Sequence, residues 1–328
     1  MPDANDDGSP LEAAAGVAGP ATTGAFKLVS NETRLAILLA LWEEFEPFED
    51  SSAVRFSDLR ERVGMRDSGQ FSYHLERLEG RFVDSTDDGW SLRDAGLELV
   101  QTIIGGAAIE DATLGPTPID MTCSLCGGDV VVEYADGWVT NACTDCDGLF
   151  DREGSEYGVL SKFSLAPAGL TDRSAEEIYA AAWVRGFQRV FSMLEGVCPT
   201  CSGPVDRWLF RCPDHQAAAD GGVCETCGNR PELVARLECA VCKEWATSTL
   251  GGVARYHPAA VGFHWEHDLP LQYGFNDIAH INDRLARTEM DWEVLAEDPL
   301  VVRVTLGIDG DEMCLDLRED LAVVDVGG

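Results

Sequence analysis

Ten of the twelve cysteines in this 328-residue chain stand in five Cys-x2-Cys pairs, and this spacing constrains the fold more than any other feature. The two thiolates of such a pair can reach one ion, so two pairs supply the four ligands of a tetrahedral zinc site. A redox-active dithiol is the alternative interpretation. Two pairs at this spacing in a reducing compartment favour structural zinc.

The first two pairs predict a zinc ribbon over residues 119–152. Between the pairs, residues 130–134 and 138–140 have the pattern of two strands, and Asp136-Gly137 is a typical hairpin turn. Such a hairpin brings the two pairs together. The predicted ligands of this site are Cys123, Cys126, Cys143 and Cys146.

A second cluster over residues 197–245 supplies eight further candidate ligands, enough for two more sites. They are Cys198, Cys201, Cys212, His215, Cys224, Cys227, Cys239 and Cys242. Sequential, interleaved and nested pairings are all compatible with their order, because spacing does not determine ligand connectivity. We favour the nested pairing, in which the outer pairs share one ion and the inner four residues share another, since 205–210 and 233–237 resemble two paired strands. Three Zn²⁺ per chain are then expected, which leaves only Cys314 outside a site.

The charge of the chain indicates a saline environment. The sequence has 58 acidic and 24 basic residues, a formal charge of -34, and only three of the bases are lysines. At molar salt the screening length falls to about 3 Å, so crowded carboxylates repel one another far less. We therefore expect a halophilic protein from a KCl-rich cytoplasm. The alternative is an acidic partner-binding surface, which the even spread of acids along the chain disfavours.

The composition excludes several classes of protein. The longest apolar run, residues 35–42, is too short to cross a bilayer, and residues 1–24 have neither a basic start nor an apolar stretch. We expect a cytoplasmic protein without a membrane segment. Residues 1–24 predict a disordered acidic tail.

Residues 25–107 have the pattern of a winged helix-turn-helix. The predicted order is helix, helix (55–63, with Ser57 as N-cap), turn at Gly64, helix (67–80), hairpin (82–92) and helix (94–104). The Gly-Pro-Thr-Pro stretch at 115–118 then predicts a linker.

One face of the third helix predicts DNA contacts. Phe71, Leu75 and Leu78 form its apolar side. Another side of the helix has no carboxylate, since Glu76 and Glu79 point elsewhere, and residues 55–81 contain six bases against five acids. Amide, aromatic and guanidinium groups on that side are what a major-groove helix needs. The predicted contact residues are Gln70, Tyr73, His74, Arg77 and Arg81. A merely solvated amphipathic helix is the alternative.

Three stretches carry a resemblance to a known family: FKLVSNETRLAIL at 26–38, FSDLR at 56–60 and DSGQFSYHL at 67–75. They resemble ArsR-type winged-helix regulators of haloarchaea. The resemblance implies that 68–78 is the DNA-reading helix and 82–92 the wing, and that the protein binds specific double-stranded DNA as a homodimer. The Cys-Val-Cys signature of the metal-sensing branch is lacking, so no metal-sensing role is implied. The rest of the chain resembles the uncharacterised region that accompanies such domains.

The remaining segments complete a multidomain α+β fold. Ser174 to Glu177 form a capping box that begins a connecting helix over 173–196. Residues 246–328 predict a small C-terminal α+β module with a strand meander. This module contains His257, His264, His267 and His280, for which structural or surface roles are favoured over a regulatory metal site.

Two functions remain open from the sequence. The first is a sequence-specific DNA-binding regulator with structural zinc modules and a C-terminal module that binds an effector or protein partner. The second is an adaptor or transcription-machinery factor whose winged helix and zinc ribbons bind protein. We do not expect an enzyme, because phosphate-loop, nucleophile-elbow and dinucleotide motifs are missing from the sequence.

Overall fold

A computed structural model describes residues 24–25, 27–48, 52–106, 112–151, 155–216, 222–271 and 277–327. These residues fall into two compact units, divided between Ala108 and Ile109. The predicted acidic tail over 1–24 lies outside the described residues, apart from Gly24.

The described chain is mixed α/β with four antiparallel sheets of two to four strands. Among its described helices, none has the length and apolar character that a bilayer span requires.

The described part of unit 1 contains several helices and a hairpin. Six of its elements position the site: α1 (Glu32–Glu43), α2 (Phe56–Arg62), α3 (Ser68–Leu78), β1 (Val83–Thr86), β2 (Gly89–Leu92) and α4 (Asp94–Ile104). Leu38, Leu59, Phe71 and Leu75 are fully buried and hold α1, α2 and α3 around one core. The predicted apolar side of α3 therefore does face the core of this unit.

Asp67 and Ser57 lie near the starts of two predicted helices, and only Asp67 acts as an N-cap. Asp67 begins α3, and its side chain accepts the N–H groups of Gly69 and Gln70 at 2.8 and 3.0 Å. The prediction of Ser57 as the N-cap of α2 is wrong. The cap is Arg55, without a side-chain hydrogen bond, and the Ser57 hydroxyl donates to Asp58 instead.

Unit 2 begins with a four-stranded sheet in the order of its sequence: β3 (Leu114–Thr122), β4 (Asp129–Ala135), β5 (Trp138–Cys143) and β6 (Gly158–Ser164). The prediction of a linker at 115–118 is wrong, because these residues belong to β3. Prolines are tolerated there since β3 is an edge strand, where one row of backbone groups needs no partner. Asp136 and Gly137 have positive φ and make the predicted two-residue turn between β4 and β5.

A second sheet carries the later cysteines. It joins β7 (Val205–Arg211), β8 (Leu233–Cys239) and β9 (Trp245–Ser248), with Val205 paired to Cys239 and Arg211 to Leu233.

The last sheet is the predicted meander. Its strands are β10 (Thr288–Glu297), β11 (Leu300–Ile308), β12 (Asp311–Arg318) and β13 (Val323–Gly327). Along β11 every second side chain is buried, from Val302 to Ile308, as expected for a sheet with one face in the core.

The helices of unit 2 connect these sheets. They are α5 (Ala175–Leu194), α6 (Leu250–Ala254), α7 (Pro258–Glu266) and α8 (Ile278–Arg287), with a 3-10 turn at Pro167–Leu170. Ile178 and Tyr179 of α5 lie in the core of the first sheet, and Met193 of the same helix lies in a second core shared by the other two sheets. One helix thus contributes to both cores.

Candidate functional site

The first cluster joins the end of β3 to the end of β5. Cys123 follows β3 and Cys143 ends β5, so the pairing of β4 with both strands brings their two loops together. The Sγ atoms of Cys123 and Cys146 are 3.8 Å apart, and those of Cys126 and Cys143 are 3.5 Å apart. The four predicted ligands of the first zinc ribbon therefore meet at one point.

The second cluster lies where β7 begins and β8 ends. Sγ of Cys198 lies 3.5 Å from that of Cys242, and Sγ of Cys201 lies 3.5 Å from that of Cys239. The antiparallel pairing of Val205 with Cys239 brings the two Cys-x2-Cys pairs together across the base of the sheet.

The third cluster lies at the opposite end of the same two strands. Cys212 follows β7, and the loop back to β8 supplies the other three groups: His215, Cys224 and Cys227. The structure thus groups the eight candidate ligands in the nested arrangement, with one cluster at the base of the β7–β8 ribbon and one at its tip. Sequential and interleaved pairings do not occur.

Four of the Cys-x2-Cys turns share one backbone conformation. In each, the first cysteine N–H donates to the carbonyl five residues later, as from Cys123 to Gly128 and from Cys239 to Glu244. In each, the first cysteine carbonyl accepts the N–H four residues later, and that residue has positive φ. The four such residues are Gly127, Ser202, Gly228 and Lys243. These four positions were not predicted from the sequence, although the glycine at two of them is typical of a residue with positive φ.

Backbone N–H groups point at the sulfur atoms. Leu125 donates to Cys123 at 3.4 Å, Asp145 to Cys143 at 3.3 Å and Thr200 to Cys198 at 3.4 Å. Such donors stabilise a thiolate, which is the form that binds metal, and they hold it in a fixed direction.

Some of these donors lower thiol pKa values. The amide of Gln216 lowers the pKa of Cys224 to about 6, and the amide of Cys242 lowers the pKa of Cys239 to about 6. Burial has the opposite effect on Cys143, whose pKa is raised to about 12. A cation would offset that burial, because metal binding removes the proton from a coordinating thiol.

The spacing of the donor atoms fits a tetrahedral ion. With Zn–S bonds of about 2.3 Å, two sulfurs of a tetrahedral site are separated by about 3.8 Å, close to the separations in these clusters. A disulfide would bring them to about 2.05 Å. All four donor atoms of each cluster lie within 4.8 Å of one another. The three clusters can therefore hold metal ions such as zinc.

The residues predicted to contact DNA lie on or just beyond α3. Gln70, Tyr73 and Arg77 are exposed on the helix, and the guanidinium of Arg77 lies 5.4 Å from the centre of the Tyr73 ring. His74 is half-buried with its ring against Tyr73. Arg81 is exposed in the turn after the helix, because α3 ends at Leu78 and not at the predicted position 80.

The C-terminal histidines have structural contacts. His257 caps α7 by accepting the Ala259 N–H, while His264 bonds to the carbonyl of Ala260 and to Thr288. His267 lies 3.1 Å from Asp311. The favoured interpretation of these residues as structural agrees with these contacts, and the metal-donor clusters among the described residues do not include them.

Unit 2 also contains a cavity that the sequence did not predict. It has a volume of about 470 Å³ and lies between β5, β6, α5 and the segment from β9 to α6. Its lining comes from distant parts of the chain, so no local motif marks it.

Two families of unknown function match the chain. The domain of unknown function DUF7347 matches residues 22–103, and the domain of unknown function DUF7351 matches residues 120–323. No curated protein and no solved structure matches it. The second match takes in all twelve residues of the three metal-donor clusters. Because that match covers more than half of the 328 residues, the chain belongs to the DUF7351 family.

Proposed function

We propose that the protein is a sequence-specific DNA-binding transcriptional regulator, in which unit 1 is a winged helix-turn-helix and unit 2 is a zinc-stabilised module. The order α1, α2, α3, hairpin, α4 supports the first part, as does the resemblance to ArsR-type regulators. In this proposal α3 is the reading helix and the β1–β2 hairpin is the wing.

The exposed face of α3 carries the proposal. Gln70, Tyr73 and Arg77 present an amide, a phenol and a guanidinium outward, while Phe71 and Leu75 are fully buried beneath them. Arg forms paired hydrogen bonds with guanine and Gln with adenine in the major groove. The stripe of α3 that holds Gln70, Tyr73 and Arg77 has no carboxylate, while the exposed Glu76 and Glu79 lie on another side of the helix. Such a stripe is unusual on a chain with 58 acidic residues, and it suits an approach to phosphate.

The three clusters are assigned to structural Zn²⁺. Each has four protein donors, so a tetrahedral ion has no open position for a substrate or water. The ions would hold the β4–β5 hairpin and both ends of the β7–β8 ribbon. We assign no catalytic step to them.

We also propose that the protein binds DNA as a homodimer, as the resemblance to ArsR-type regulators implies. Two copies of α3 related by a two-fold axis would read half-sites about 34 Å apart, one helical turn of DNA. The selected DNA should then contain an inverted repeat.

Selection of binding sites from random double-stranded DNA, followed by occupancy mapping in the native host, tests the function. We expect one enriched motif, and weaker binding to it by roughly 1 to 3 kcal/mol for Gln70→Ala and for Arg77→Ala. Gln101→Ala removes the same amide from the exposed surface of α4 and serves as the matched control.

Two outcomes would contradict the proposal. One is a selection without an enriched motif, and the other is wild-type affinity in both α3 variants. Either result would favour the adaptor function, in which the same surface binds protein.

A further inference from the structure

The cavity in unit 2 has a strongly aromatic wall. Eight aromatic side chains of the described residues line it, and those from the first sheet, from α5 and from the segment around β9 and α6 include Trp138, Phe163, Tyr179, Trp183, Trp245 and Tyr256. The Trp183 ring lies 5.7 Å from Phe163 and 6.0 Å from Tyr179, centre to centre, in edge-to-face contacts. A volume of about 470 Å³ is in the range of small-molecule sites, which are mainly apolar and aromatic.

Among the described residues, the charged lining of the cavity is entirely positive. Lys162, Arg189 and Arg255 line it, and no described Asp or Glu does. In the whole chain the acids outnumber the bases by 58 to 24, so an acid-free lining of this size departs from the composition. The cavity is therefore suited to a negative charge.

The three cations differ in their partners. Arg189 forms an ion pair with Glu244, and Lys162 lies 5.7 Å from the centre of the Trp138 ring. Arg255 contacts the Gly251 carbonyl through Nε and lies 6.0 Å from the Trp183 ring centre. Within the described part of the chain, no carboxylate is in ion-pair distance of Arg255. Burial lowers the pKa of Arg255, which shows the cost of keeping this charge away from water.

Buried hydrogen-bond donors also line the cavity without partners. Within the described residues, Asn141 Nδ2, Trp183 Nε1 and Arg189 Nε have none, and Asn141 is only 2% exposed. Buried donors are normally paired, because an unpaired one destabilises the folded state, so three around one cavity indicate an acceptor that belongs there.

A smaller cavity adjoins the first one at Trp183 and Arg255. It has a volume of about 70 Å³, and Arg284 and His264 also line it. The charge of Arg255 contributes to the lowered pKa of Arg284, after burial, so the two guanidinium groups influence each other. This junction, where Arg255 lines both cavities, gathers positive charge beside the aromatic wall of the larger one.

We propose that the large cavity binds a small molecule with a flat aromatic body and an anionic group, and that Arg255 at the junction receives the anionic group. The rings would hold the aromatic body, and Trp183 and Asn141 would donate hydrogen bonds. Arg255 is thus a specificity-determining residue that selects acids over neutral aromatics. This inference does not depend on DNA binding, because all of its residues lie in unit 2.

A pair of fluorescent probes tests it on the full-length, zinc-loaded chain in molar KCl. 8-Anilinonaphthalene-1-sulfonate carries the anionic group, and N-phenyl-1-naphthylamine has the same rings without it. We expect one saturable site per chain for the sulfonate, with affinity at least roughly tenfold above that of the neutral probe. 1-Naphthoate should displace the sulfonate, and neutral 1-naphthamide should not.

Substitution of Arg255 supplies the second arm. Arg255→Met should weaken binding of the sulfonate by roughly tenfold or more and leave the neutral probe nearly unchanged, while Arg255→Lys should retain most of the selectivity. Arg318→Met removes one charge from an exposed position on β12 and should change neither probe. Near-ultraviolet circular dichroism checks that each variant is folded.

The proposal is overturned if wild-type protein binds both probes equally, or if naphthamide displaces the sulfonate as well as naphthoate does. It is also overturned if folded Arg255→Met keeps wild-type affinity for the sulfonate. If Arg255→Met does not fold, the affinities of the wild-type protein for the two probes still test the proposal.

Discussion

The Sγ of Cys227 lies 3.7 Å from the Nδ1 of His215, across the tip of the β7–β8 ribbon. A thiolate and an imidazole that share a tetrahedral zinc ion are separated by about 3.5 Å, given bonds of about 2.3 and 2.0 Å. The tip therefore differs from the base of the ribbon in its donors, with three cysteine sulfurs and one imidazole nitrogen, and the two ends can be distinguished by substitution.

Metal content is the first prediction. Reduced, chelator-free protein should contain three Zn²⁺ per chain, and Cys212→Ser should contain two. The loss should be confined to the tip, because the base cluster and the first ribbon have their own ligands. Elemental analysis measures the ratio. Cys314→Ser is the matched control, since Cys314 lies on β12 near Thr305 and outside the clusters, and it should keep all three ions. Wild-type protein with one ion or none would contradict the assignment.

The cap of α3 is the second prediction. Asp67→Ala removes the acceptor of the Gly69 and Gln70 N–H groups and should destabilise unit 1 by about 1 kcal/mol. Hydrogen exchange of α3 peptides in the full chain measures this loss. Asp58→Ala removes a carboxylate that bonds only the neighbouring Ser57 hydroxyl, and it should have a smaller effect. Equal destabilisation by the two substitutions would show that the loss of a negative charge, and not the loss of the cap, lowers the stability of unit 1.

Acid sensitivity of unit 2 is the third prediction. Burial lowers the pKa of His264 to about 4 from the usual 6.5, and this side chain is 2% exposed. The unfolded chain thus binds the proton more readily than the native state. The contribution of this residue is fully present above pH 6.5 and is lost as the pH falls toward 4, by on the order of 3 kcal/mol.

Urea unfolding at several pH values tests the His264 prediction. The wild type should lose more stability between pH 6.5 and 4 than His264→Gln, which cannot titrate there. His280→Gln removes an exposed histidine and should keep the wild-type pH dependence. Parallel curves for the wild type and His264→Gln would refute the prediction.

Salt dependence is the fourth prediction, and it applies to DNA binding and to folding. A protein that binds DNA mainly through phosphate contacts loses affinity with salt, by about 0.9 in log K per log unit of salt for each phosphate neutralised. This chain has few bases outside α3, and its 58 carboxylates repel phosphate. The affinity for DNA should therefore be constant or rise from moderate to molar KCl. The unfolding temperature should rise over the same range.

Titration of KCl against affinity for the selected DNA and against thermal unfolding measures both effects. A steep loss of binding with salt, together with full stability at low salt, would show that the acidity is not a halophilic adaptation.

The sequence predicted those parts of the fold that local chemistry determines. Ser174 and Glu177 form the expected capping box, and the predicted Asp136-Gly137 turn connects β4 and β5. Strands β6 and β9 were not predicted, because β9 has only four residues and the residues of β6 do not alternate between apolar and polar. Val159 of β6 pairs with Ala142, and Ser248 of β9 pairs with Ala235.

Local sequence likewise identifies the metal clusters but not the cavity. Cysteine spacing identifies ligands because both members of a pair lie in one short turn. Asn141, Trp183 and Arg255 belong to a strand, a long helix and the end of a short helix, and only the packed structure brings them around one space. An arginine without an acidic neighbour has no signature in the sequence, since its isolation is a property of three-dimensional contacts.

Helix α5 sets a limit on how the region after residue 109 can diversify. Its first half lies in one core and its second half in the other, so neither core is complete without a continuous helix. A recombination point inside this region would leave each fragment with a sheet that lacks part of its cover. We therefore expect this region to tolerate point substitutions and growth of its loops, and not the exchange of a fragment at a point within α5.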